Sequence, residues 1–194
     1  MQPIRRPVRP SSLFQLGLVL ALAALALVVA SVQTRTAVAP VQEQENVFTS
    51  ERYGYSLTLP RTWLMHETPG EWPPGAQPAP GEAGVDGFVE QTSGKILVVA
   101  ARPASAGTTL EAWSEDVAAV TPQQCQTNMS IPAKVGGEPA QLWEIRCPDG
   151  AFVMKLAALH EGRGYLFVLV SETKSDSADR EFFANVMHSF KFAS

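Results

Sequence analysis

The side chains in this sequence that could do chemistry are few and scattered. His66, His160 and His188 lie far apart, and none has a second His, Cys or Asp at the spacing a metal site needs. No metal and no cofactor are expected. Glu115-Asp116 and the pair Asp176 and Asp179 fall on predicted helices, where they read as solvated faces; Asp176 also complements a helix N-terminus and His188 a helix C-terminus. Nucleophile elbow, phosphate loop and EF-hand patterns are all missing from the sequence, so no catalytic residue is expected. The two cysteines, Cys125 and Cys147, read as one disulfide if the chain is exported.

The remaining candidates are aromatic. Trp72 sits in Thr68 to Gly84, a stretch with five prolines and four glycines that excludes helix and strand. A tryptophan on such a loop either folds back to pin it or is offered to a partner, and Trp72 is the candidate binding residue. Trp63, just past Pro60, reads as a core anchor, and burial is favoured for Tyr53 and Tyr55 on either side of Gly54. Trp113 and Trp143 fall on apolar faces of a helix and a strand.

These residues must be positioned by a predominantly sheet-forming chain. Tyr53, Tyr55, Leu57 and Leu59 alternate with small or polar residues, the period of a half-buried strand. Val85 to Gln91 and Lys95 to Ala101 form a predicted hairpin; the second strand is apolar throughout, as expected of one covered on both faces. Thr108 and Glu111 form a capping box for a helix carrying Leu110, Trp113, Val117 and Val120. Strands at 139–147, 151–160 and 164–171 are joined by turn residues into an antiparallel meander. A second helix runs over about 177–188 with Phe182, Val186 and Phe190 on one stripe. The fold class is α+β, an antiparallel sheet with helices on both faces.

Ahead of this body, Leu13 to Val32 is uncharged, and its twenty residues would span roughly the 30 Å of a bilayer core as a helix. That length favours a retained single-pass anchor, although Val28-Val29-Ala30 offers a cleavage site whose use would leave the body secreted. Three arginines before the run place the N-terminus in the cytoplasm and the body outside. The predicted organisation is a basic tail (1–12), an anchor (13–32), a linker (33–46) and one extracytoplasmic domain (47–194). Beyond residue 40 the chain holds 11 basic and 19 acidic residues, net −8, which argues against binding nucleic acid.

The opening FTSERYGYSLTLPRTW, with Tyr53-Gly54-Tyr55-Ser56, Pro60 and Trp63, and the closing FFANVMHSFKF, with Ser189-Phe190, resemble the PsbP-like superfamily, which includes the photosystem II extrinsic protein and the Mog-type Ran-binding proteins. The resemblance spans Val47 to Phe192 and is sharp at these two ends. It implies an antiparallel sheet between helices, serving binding and assembly of larger complexes and not catalysis. The apolar segment departs from the nuclear Mog proteins and speaks against Ran binding. The expected function is therefore a non-catalytic, membrane-tethered binding or assembly module with a protein partner. The alternatives are a cell-surface hydrolase using His66 and scattered carboxylates, or a carrier of a small apolar ligand.

Overall fold

The computed structural model describes residues 45–121, 124–172 and 176–193. The predicted tail and anchor and most of the predicted linker lie outside the described residues. Among the described residues no helix is long and apolar enough to cross a membrane.

The elements are β1 (Glu45–Ser50), β2 (Tyr55–Pro60), β3 (Trp63–Glu67), β4 (Val85–Glu90), β5 (Ile96–Pro103), α1 (Leu110–Ala118), β6 (Gln126–Val135), β7 (Glu138–Arg146), β8 (Phe152–His160), β9 (Arg163–Ser171), α2 (Asp176–Ser189) and β10 (Lys191–Phe192). Seven strands form one sheet in the order β3-β4-β5-β9-β8-β7-β6, every neighbouring pair antiparallel.

The apolar runs of β5 and β9 are central, as a strand covered on both faces must be. Leu97, Val99, Phe167 and Leu169 point into a first core with Phe183, Val186 and Met187 of α2. Val98, Ala100, Leu166 and Val168 point into a second core with Trp113 and Val117 of α1. Helices therefore cover both faces.

Three features differ from expectation. The strand opening the domain is not part of the main sheet: β2 pairs with β1 and β10 in a separate three-stranded sheet, burying Tyr55, Leu57 and Leu59 in the first core. The cap of α1 is Thr109 and not Thr108, because it is the Thr109 hydroxyl that accepts from the Ala112 amide, at 3.3 Å. Asp179 is not on a solvated face; it is fully buried and pairs with Lys95 at 2.6 Å.

Among the strands that were not expected is β6, joined to β7 by Gly136-Gly137, both at positive φ as a two-residue hairpin turn requires. At Gly136 a Cβ would stand 2.6 Å from the Phe192 ring, so glycine is needed for close approach as well.

Candidate binding groove

Trp72, expected to pin its loop or be offered to a partner, is folded back into the second core. It is 1% exposed, its indole donating to the Ala76 carbonyl at 3.0 Å and its ring edge-on to Trp113 at 6.1 Å. The cause lies in the loop's neck, where the Thr68 amide donates to Val85 and the Gly84 amide to Thr68, folding the prolines back over the second face as an Ω-loop. At Gly84, φ is +71°, and a Cβ would lie 2.0 Å from the Trp72 amide nitrogen. The Arg102 guanidinium sits 4.6 Å from the Trp72 ring and 4.9 Å from that of Trp113, donates to the Pro73 carbonyl and pairs with Asp116. The second face is thus sealed by its own loop.

Cys125 and Cys147 are bonded to each other and pack against this second core, joining the outer ends of β6 and β7. Trp63 is buried and stacks on Phe182 at 4.8 Å; Trp113 and Trp143 are buried as expected. His66 is exposed on β3, His160 approaches Glu138 at 2.9 Å and stacks on Phe192, and His188 approaches the Ala184 carbonyl at 3.1 Å. Among the described residues no three of His, Cys, Asp and Glu cluster as metal ligands would.

Other charged groups tie elements together. Asp86, fully buried, accepts from Tyr55 at 2.8 Å and pairs with Arg52. Burial, with the Asp86 charge beside it, drives the Tyr55 phenol well above its ordinary pKa, so it remains a donor. Arg180 of α2 grips Glu144 of β7 through two bonds of 2.5 and 2.7 Å, and these bonds raise the guanidinium above its ordinary value. The other end of α2 is held by Ser189, which accepts from the Thr58 amide at 2.9 Å.

Between these attachments α2 packs into the first core through Phe183, Val186 and Met187 but leaves an open-sided space towards β6 to β8. A cavity of about 320 Å³ lies under it, with Leu142, Met154 and Leu156 of β7 and β8 as floor, Met129 and Ala133 of β6 as wall, and Phe183, Ala184 and Met187 as roof. The Glu144–Arg180 pair borders it, as do Lys134 and His188. Lys134, Met187 and His188 also line an adjoining open depression of about 740 Å³ that holds Lys191, Phe192 and the Gly136-Gly137 turn. Such an arrangement can hold an apolar body with a polar end. The sequence singled out none of these lining residues as a binding residue. A signal was present in methionine usage, since Met129, Met154 and Met187 are three of the chain's five.

No protein-family model and no curated protein sequence matches the chain. Solved structures do. CyanoP, the cyanobacterial PsbP of Synechocystis sp. PCC 6803, superposes with a TM-score of 0.57 at 16% identity, over 79% of this chain and 96% of that one. LpqN of Mycobacterium tuberculosis, involved in cell envelope biogenesis, gives 0.53 at 12% identity, over 78% and 91%. A Bacteroides thetaiotaomicron protein gives 0.51 at 12% identity over 79% of this chain and 49% of its own. At such identities the likeness is one of architecture, and the described domain has the PsbP-like fold.

Proposed function

We propose that this chain is a non-catalytic binding and assembly module, held outside the cytoplasm by residues 13–32, and that the groove between α2 and β6 to β8 is its recognition site. The observation carrying this reading is the groove itself: buried ion pairs and the Ω-loop complete the fold elsewhere, whereas here apolar side chains line an open cavity. The fold it shares with an envelope-biogenesis protein and the twenty-residue apolar run support the location.

A photoreactive residue at Ala184, exposed at the groove's roof, tests the site in the membranes of the native cell, with the same label at Glu111 of α1 as control. The expected outcome is discrete adducts from position 184 alone, on a protein that sediments with membranes and keeps its original N-terminus. Equal labelling from both positions, or none from either, overturns the site; a mature N-terminus at Ser31 overturns the anchor.

A further inference from the structure

We infer that the occupant of this groove is a fatty carboxylate, its chain lying over Met154 and Leu156 beneath α2 and its head at Lys134, His188 and Lys191, an inference that rests on the groove being the recognition site. The cavity has a size at the lower end of small-molecule sites, roughly 300 to 1,000 Å³, which suits one chain better than two. Its lining includes Met129, Met154 and Met187, and unbranched thioethers repack around chains of differing length, as promiscuous apolar sites use them. Ile131, 41% exposed, shares the face of β6 that carries Met129 and Ala133 and adds exposed apolar surface to that strand.

Charge sets the direction of binding. At one border the guanidinium of Arg180 is neutralised by Glu144. At the other, Lys134 and Lys191 are exposed and make no ion pair among the described residues, and His188 stands beside them. A cationic cluster beside an apolar slot, on a body of net charge −8, fits an amphiphile with an anionic head. Lysine ammoniums are point charges that accept any compact anionic head, and a cavity with room for one chain selects a single-chain fatty carboxylate over a two-chain phospholipid.

The test uses the full chain in phosphatidylcholine nanodiscs with methyl-labelled methionine, read by NMR. Dodecanoate is expected to shift the Met129, Met154 and Met187 methyls saturably and leave Met65 of β3 unmoved; dodecyltrimethylammonium should produce no such shift. Lys134→Glu with Lys191→Glu, both at exposed positions, should weaken dodecanoate about tenfold, as expected for reversing two solvent-screened contacts. Ala184→Trp should abolish binding by filling the slot, with the charge variants carrying the test if it misfolds. Equal response to the cationic and anionic amphiphiles overturns the assignment of the head. Unmoved groove methyls, with position 184 still giving adducts in cells, overturn the fatty ligand while leaving the recognition site standing; loss of both removes the two together.

Discussion

Lys155 shows what a single side chain can cost this fold. It projects from β8 into the second face, between Val153 and Ala157, and is 5% exposed with its ammonium donating to the Thr121 hydroxyl at 2.9 Å. Burial lowers its pKa from 10.5 to about 8, with no ion-pair partner among the described residues to offset the desolvation. The folded value lies below the unfolded one, so between about pH 8 and 10.5 the unfolded chain binds more protons and stability rises with pH. Below about pH 8 the cost is complete, on the order of 3 kcal/mol. Lys155→Met should therefore be more stable than the natural protein at pH 7, by an amount that shrinks towards pH 10. Guanidinium denaturation of both proteins at pH 7 and 9.5 measures the two gaps; equal gaps would show that the amine is not desolvated.

Among the elements, those with a strong period were legible and those whose placement depends on distant partners were not. The uniform apolar runs of β5 and β9 announced central strands, and the stripe of α2 a packed helix. β6 was missed because QTNMSIPAKV alternates weakly and contains Pro132, which an edge strand tolerates since it pairs on one side only; Gly136-Gly137 was the hairpin signal that marked it. The groove was illegible because Leu142, Met154 and Leu156 are residues of an ordinary core, and the space beside them depends on how the distant α2 is seated. The Ω-loop is the opposite case: a composition that reads as solvated is held down by one ring. Trp72→Ala should accordingly destabilise the domain by about 3 to 5 kcal/mol, the usual cost of emptying a large aromatic site. It should leave dodecanoate binding unchanged, because the groove is on the other face. An unaltered melting temperature would mean that the loop is not pinned by Trp72.

For the molecule as a whole, the two cores are two sides of the same strands. Residues of β5, β8 and β9 alternate between them, so neither can melt while the other keeps its sheet. Unfolding should be one cooperative transition despite the three-stranded sheet, whose Tyr55, Leu57 and Leu59 belong to the first core. The Cys125–Cys147 bond acts on this single transition. It closes a loop with a sequence separation of 22, and the entropy withheld from the unfolded chain corresponds to about 3 kcal/mol in the chain-entropy model. The folded state gains less from it, since β6 and β7 are already paired from Gln126–Arg146 inward to the turn. Reduction should thus lower the melting temperature by about 6 to 12 °C for a domain of this size, without splitting the transition. Tryptophan fluorescence reports largely on the second face, through Trp72, Trp113 and Trp143, while far-ultraviolet circular dichroism reports on the backbone of both sheets. The two probes should give coincident melting curves in oxidised and in reduced protein. Separated curves after reduction would show that the bond holds the β6–β7 edge, and the groove wall with it, against a local unfolding that the shared strands do not prevent.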